Sequence, residues 1–119
     1  MRVTVSKKVS FDAAHYLPKY KGPCQRVHGH TFEVEVGLLG VVRKDGMVID
    51  FKDLKNLLQE EVVDKYDHQD LNNFFDNPTA ENIAVSIWMS LLSKEGNLGP
   101  YLEYVKVWES PDSCCEVKG

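Results

Sequence analysis

The sequence predicts an α+β domain: an antiparallel four-stranded sheet with two helices on one face, in the order strand, strand, helix, helix, strand, strand. Three patterns carry that reading. Apolar residues alternate with polar ones at Val3, Val5, Val9, Phe11 and Ala13, which is the period of a strand. They then recur at helical spacing through Phe51, Leu54, Leu57, Leu58 and Val62, and again through Ile83, Ala84, Ile87, Trp88, Leu91 and Leu92, as on buried helix stripes. Alternation returns near the C-terminus, over Leu102–Glu109.

The first strand is expected over about residues 2–14, with His15 continuing its phase. Residues 16–27 hold Pro18, Gly22, Pro23 and several lysines and read as a loop. A second strand follows over about 29–42. His28, His30, Phe32, Val34, Val36 and Leu38 share its even phase, whereas Glu33 and Glu35 point the other way. Asp45-Gly46 marks a turn, with a short extended piece at Met47–Ile49. Asp50 is a helix N-cap candidate before a helix over about 51–65. Tyr66–Asn77 shows no clear period. Thr79 is the N-cap candidate of the second helix, with Glu81 favourably placed in its first turn and Gly96 at its stop. Ser110-Pro111-Asp112-Ser113 reads as a turn, and Cys114–Lys118 as the fourth strand.

The 119 residues suit one domain, and a chain of this size buries roughly 65% of its unfolded surface. The 43% hydrophobic and 27% charged residues argue against intrinsic disorder. Apolar runs are only a few residues long, so no membrane span is expected. The N-terminal residues lack the apolar stretch of a secretory signal, which predicts a cytoplasmic protein. Three cysteines, two of them adjacent, argue against a disulfide framework. A net charge of −4 argues against a nucleic-acid partner.

The chemistry concentrates in the histidines: His15, His28, His30 and His68. Residues i and i+2 of a strand share a face, so His28 and His30 can approach one metal, with Gly29 between them allowing close backbone approach. If the first two strands pair as a hairpin, His15 falls at the same edge. Three histidines with an open position suit a catalytic zinc ion, and imidazole also suits other divalent metals. Cys24 lies four residues before His28. It is either a fourth ligand, closing a structural Cys-His₃ site, or a free thiolate acting as base or nucleophile. Asp67-His68 is either a proton relay or a solvated turn. Glu109 shares the phase of Val105 and Val107. On a buried face such a carboxylate needs a cation or a hydrogen-bonding ligand; at an exposed strand end it needs neither. Cys114 and Cys115 point to opposite faces and read as packing residues.

Seven segments in order resemble one family: Phe11-Asp12-Ala13-Ala14-His15, Cys24-Gln25-Arg26-Val27-His28-Gly29-His30, Gly46-Met47-Val48-Ile49-Asp50-Phe51, Leu54-Lys55, Asp67-His68-Gln69-Asp70-Leu71-Asn72, Asn77-Pro78-Thr79-Ala80-Glu81-Asn82 and Val107-Trp108-Glu109. The chain is similar to the 6-pyruvoyl-tetrahydropterin synthase and 6-carboxytetrahydropterin synthase group. That resemblance implies His15, His28 and His30 as Zn²⁺ ligands and Cys24 as proton acceptor, with Asp67 and His68 as its relay. It implies Glu109 as the carboxylate anchoring the pterin ring, and Glu109 and Thr79 as substrate contacts. It implies a tunnelling fold, in which trimers close their sheets into a barrel and two trimers stack as a homohexamer with active sites between subunits. The implied substrate is 7,8-dihydroneopterin triphosphate.

The Cys-x₃-His-Gly-His spacing resembles the 6-carboxy branch. That branch releases triphosphate and acetaldehyde on the way to deazaguanine nucleosides, queuosine or archaeosine. The alternative is the 6-pyruvoyl branch, which eliminates triphosphate without carbon–carbon cleavage. A subgroup acting in folate synthesis carries Glu in place of the cysteine, and Cys24 argues against it. A non-catalytic zinc module with Cys24 as fourth ligand is the second alternative. A zinc hydrolase is a third, disfavoured because Glu33 and Glu35 lie on the wrong phase to serve as its base. Lys7, Lys8, Lys19, Lys21 and Arg26 are the candidate cations for a triphosphate.

Overall fold

The computed structural model describes residues 1–119, the Asn97 side chain excepted. Strand β1 (Arg2–His15) and strand β2 (His28–Val41) pair antiparallel along their whole length, from Arg2 opposite Val41 to His15 opposite His28. The alternation read from the sequence sets this register: Phe11 and Ala13 on β1 and Phe32, Val34, Val36 and Leu38 on β2 face one core. A one-residue slip would turn either row to solvent.

Helix α1 (Phe51–Leu58) starts at Asp50, whose carboxylate accepts the Lys52 N–H at 2.8 Å. It continues through a π turn (Gln59–Val63) into a last helical turn, α2 (Asp64–Tyr66). Helix α3 (Ala80–Leu92) is capped by Thr79, whose hydroxyl accepts the Asn82 N–H at 3.1 Å. Leu54, Leu58 and Val62 from the first helical segment, and Ile83, Ala84, Ile87 and Leu91 from α3, cover the inner face of the sheet. Strand β4 (Tyr101–Ser110) pairs with β2, and β5 (Ser113–Lys118) with β4. A bulge at Glu103 lets Leu102 face the core together with Val105 and Val107, despite its opposite parity.

Three sequence expectations change. The antiparallel four-stranded sheet is, among the described residues, a mixed five-stranded one of order β3-β1-β2-β4-β5, because β3 (Gln69–Asp70) adds in parallel to the β1 edge at Ala13 and Ala14. Two polar residues carry no period, so only the tertiary contact makes this strand. Met47–Ile49 forms no strand; Arg43 and Met47 close a turn, and Val48 and Ile49 drop into the protein interior. Gly96 is not the helix stop. Ser93 caps α3, and Gly96 lies in a short helix, α4 (Glu95–Leu98), which left-handed Gly99 ends.

Candidate metal centre and its neighbours

The β1–β2 register places His15 directly opposite His28, and His30 opposite Ala13. The three imidazoles cluster with ring centroids 4.6–5.2 Å apart. His15 is fully buried, and its Nδ1 lies 2.8 Å from the Pro78 carbonyl oxygen. The His28 Nδ1 lies 2.7 Å from the Arg26 carbonyl oxygen. A carbonyl only accepts, so each Nδ1 carries a proton, and in the neutral ring each Nε2 is left with a free lone pair. This is how backbone carbonyls orient metal-binding histidines. Burial holds the His30 pKa below its ordinary value, with His15 and His28 adding to that effect and Glu109 opposing it. His30 is therefore neutral, as a ligand must be, at physiological pH.

The fourth member of the cluster is Glu109. Ligand atoms of His15, His28, His30 and Glu109 all lie within 4.8 Å of one another. Glu109 Oε1 is 3.1 Å from His15 Nε2 and 3.4 Å from His30 Nε2. In the β4–β5 ladder Glu109 is the extra residue, opposite the step from Cys114 to Ser113. Bulges of this kind recur beside active sites. These donors, two of them with their tautomers set by backbone carbonyls, fit a divalent transition metal such as zinc.

The cluster is not sealed. His30 is 28% and Glu109 31% exposed. A cleft of about 620 Å³ reaches His30 past Asp12, Thr31, His68 and Gln69. A second, of about 320 Å³, runs along His30, Trp108, Glu109 and Pro111. Gly29 lines both clefts, and a Cβ there would meet only the Ala13 carbonyl oxygen, at 3.9 Å. Within the chain, therefore, no close backbone approach demands this glycine.

Residues 4–119 match the family described as 6-pyruvoyl tetrahydropterin synthase. The chain belongs to that family. It is 44% identical over 109 residues to an Archaeoglobus fulgidus protein that carries the provisional name 6-carboxy-5,6,7,8-tetrahydropterin synthase, covering 92% of this chain and 90% of that one. It is 36% identical over 119 residues to the dihydroneopterin monophosphate aldolase of Pyrococcus furiosus, covering 99% of each. Among solved structures, Caenorhabditis elegans 6-pyruvoyl tetrahydropterin synthase superposes with a TM-score of 0.87 at 29% identity, over 100% of this chain and 96% of that one. The tunnelling fold expected from the motifs is thus the fold of this chain.

The remaining residues expected at the site fall in two groups. Asp67 and His68 form a pair, with Asp67 Oδ2 3.0 Å from His68 Nδ1. Asp12, which the sequence reading passed over, holds the pair to β1: its N–H donates to Asp67 Oδ1 at 2.9 Å, and its carbonyl accepts the His68 N–H at 2.6 Å. The Asp12 N–H donated to its carboxylate lowers the Asp67 pKa, with His68 adding to it. His68 adopts φ of 60°, a left-handed conformation that a non-glycine residue holds only when its surroundings require it. Cys24 forms the second group. It is half-buried in a 3₁₀ turn, Pro23–Gln25, and its carbonyl accepts the Leu17 N–H at 2.7 Å. Glu109, not Cys24, completes the donor cluster within the chain, which removes the support for a closed Cys-His₃ site. Of the candidate cations, Lys8 pairs with Glu33 at 3.4 Å and lies over Trp108. The Thr79 hydroxyl spends a lone pair on its cap. Among the described residues no helix is long and apolar enough to cross a membrane.

Proposed function

We propose that the chain is a zinc-dependent 6-carboxy-5,6,7,8-tetrahydropterin synthase. It would convert 7,8-dihydroneopterin triphosphate to 6-carboxytetrahydropterin, acetaldehyde and triphosphate, as a cytoplasmic homohexamer supplying deazaguanine nucleoside synthesis. The observation that carries this reading is the half-open donor cluster. A buried His15 is held by the Pro78 carbonyl, yet His30 lines both clefts and Glu109 the second, the arrangement of a catalytic rather than a structural metal site. The Cys-x₃-His-Gly-His spacing and the similarity to the Archaeoglobus fulgidus protein favour the 6-carboxy branch.

In this reading His15, His28 and His30 hold the zinc, which supplies Lewis-acid activation of the substrate side-chain hydroxyls. Glu109 accepts two parallel hydrogen bonds from the amino-pyrimidine edge of the pterin. Cys24 moves protons between the side chain and the ring. Asp67 orients His68 through Nδ1, so that His68 can exchange a proton with the thiol. Thr79 contributes a further hydroxyl to the substrate. The edge strands β5 and β3 leave unpaired backbone groups, which closure of trimers into a barrel would satisfy.

The test is incubation of metal-loaded protein with 7,8-dihydroneopterin triphosphate, with mass spectrometry of the pterin and an acetaldehyde assay. A 6-carboxy product with acetaldehyde is expected, and Cys24→Ala should abolish turnover with zinc retained. A 6-pyruvoyl product without acetaldehyde would move the chain to the other branch. Aldol cleavage of dihydroneopterin monophosphate, the activity named for the Pyrococcus furiosus relative, with no turnover of the triphosphate, would replace the assignment. Unchanged substrate from folded, metal-loaded protein would overturn it.

A further inference from the structure

We infer that Glu109 is an exchangeable fourth ligand. Its carboxylate closes the three-histidine metal site when no pterin is bound, and leaves the metal to hold the ring when one is. The second half rests on the pterin reading above; the first half stands on geometry alone.

The His15 ring poses the problem. Its Nδ1 proton is committed to the Pro78 carbonyl, so in the neutral ring, the form that binds a metal, Nε2 presents a lone pair. That Nε2 is buried and has no hydrogen-bond partner, although Glu109 Oε1 stands 3.1 Å away. The oxygen therefore lies outside the direction in which the ring could donate. A lone pair and a carboxylate oxygen this close, with no proton between them, repel each other in a buried site. A cation on which both converge reverses the sign. The spacing fits that cation. Metal–ligand bonds of about 2.0–2.1 Å in tetrahedral geometry place neighbouring ligand atoms roughly 3.3 Å apart, and Glu109 Oε1 lies 3.1 and 3.4 Å from the two Nε2 atoms.

The same carboxylate is placed to move. It sits at a bulge in the β4–β5 ladder, is 31% exposed and borders the cleft beside Trp108. Among the described residues, the ring nitrogens of His15 and His30 are its partners. Two parallel hydrogen bonds to an amino-pyrimidine edge need both carboxylate oxygens facing the ring. Oε1 cannot do that while it faces the histidine nitrogens. Binding of the ring then vacates the fourth position at the moment a substrate oxygen needs it, which couples recognition of the ring to opening of the site.

The experiment uses full-length protein loaded with Co²⁺, whose visible absorption reports coordination, and 7,8-dihydropterin, a ring without side-chain hydroxyls and so without metal-binding groups on a side chain. Competition against a chromophoric chelator should show Glu109→Gln binding Co²⁺ about tenfold or more weakly than wild type, with Glu109→Asp between them. The visible bands of Glu109→Gln should differ from wild type, and dihydropterin should shift the wild-type bands toward those of Glu109→Gln. Equal Co²⁺ affinity and equal spectra for wild type and a folded Glu109→Gln protein would overturn ligation. Wild-type bands that stay fixed while dihydropterin fluorescence shows it bound would overturn exchange alone. Failure of dihydropterin to bind at all would overturn exchange together with the pterin reading, and the chelator competition would still decide ligation.

Discussion

Asn72 holds the backbone next to His15. Its Oδ1 accepts the Tyr16 N–H at 2.9 Å, and its Nδ2 donates to the Tyr16 carbonyl at 3.0 Å. Both residues are half-buried, so water replaces these bonds poorly. A net contribution of about 1 kcal/mol per bond makes Asn72→Ala destabilising by about 2 kcal/mol. An unfolding entropy of about 2.1 cal/mol/K per residue gives roughly 0.25 kcal/mol/K for this chain, and hence a fall in Tm of about 8 °C. Asn72→Asp keeps the acceptor but turns a carboxylate oxygen toward the Tyr16 carbonyl, so it should do no better than Ala. Thermal melts of metal-loaded protein followed by circular dichroism, with urea midpoints at unchanged m-value, measure both. Shifts below about 2 °C in both variants would refute the clamp and the arithmetic built on it.

Three further expectations concern neighbouring groups. Asp67→Asn keeps an acceptor for the Asp12 N–H but presents an NH₂ group to His68 Nδ1; kcat should fall about 10²- to 10⁴-fold with little change in melting, and an unchanged kcat would remove the pair from the relay. Glu61 is 12% exposed and accepts from Lys65 at 2.8 Å and Ser90 at 2.7 Å, and the Lys65 bond leads in holding its pKa below 4.5. The folded value thus lies below the unfolded one, so its contribution is complete above about pH 4.5 and is lost as pH falls through the folded value. Glu61→Gln should flatten the acid limb of Tm against pH, and an identical limb would contradict this. Thr79→Ala removes the α3 cap and should cost about 1 kcal/mol, recovered by Thr79→Ser. A rise in KM for Ala but not Ser would add the expected substrate contact.

The Asp67–Asn72 segment shows how a motif without periodicity becomes structure. Asp67 receives the Asp12 N–H, Asp70 caps a 3₁₀ turn by accepting the Asn72 N–H, Leu71 fills the core and Asn72 clamps Tyr16. Each residue acts on a different partner, so no single pattern in the sequence announces the set.

What the sequence determined by itself is what local geometry can encode. Alternation set the inward faces of β1 and β2, helical spacing set the stripes of α1 and α3 except at Phe51 and Leu92, which are exposed, and Asp50 and Thr79 marked the helix starts. The i, i+2 spacing of His28 and His30, with His15 in phase on its partner strand, foretold the cluster. The tertiary structure decided the rest. It made a strand of Gln69–Asp70, lodged Glu109 against His15 and His30, and supplied the Pro78 and Arg26 carbonyls and the Asp12 backbone that orient the site. The physical reason is that orientation here comes largely from main-chain groups. Every residue carries a carbonyl, so residue type cannot say which one will meet a histidine 63 positions away; only the folded path of the chain selects it.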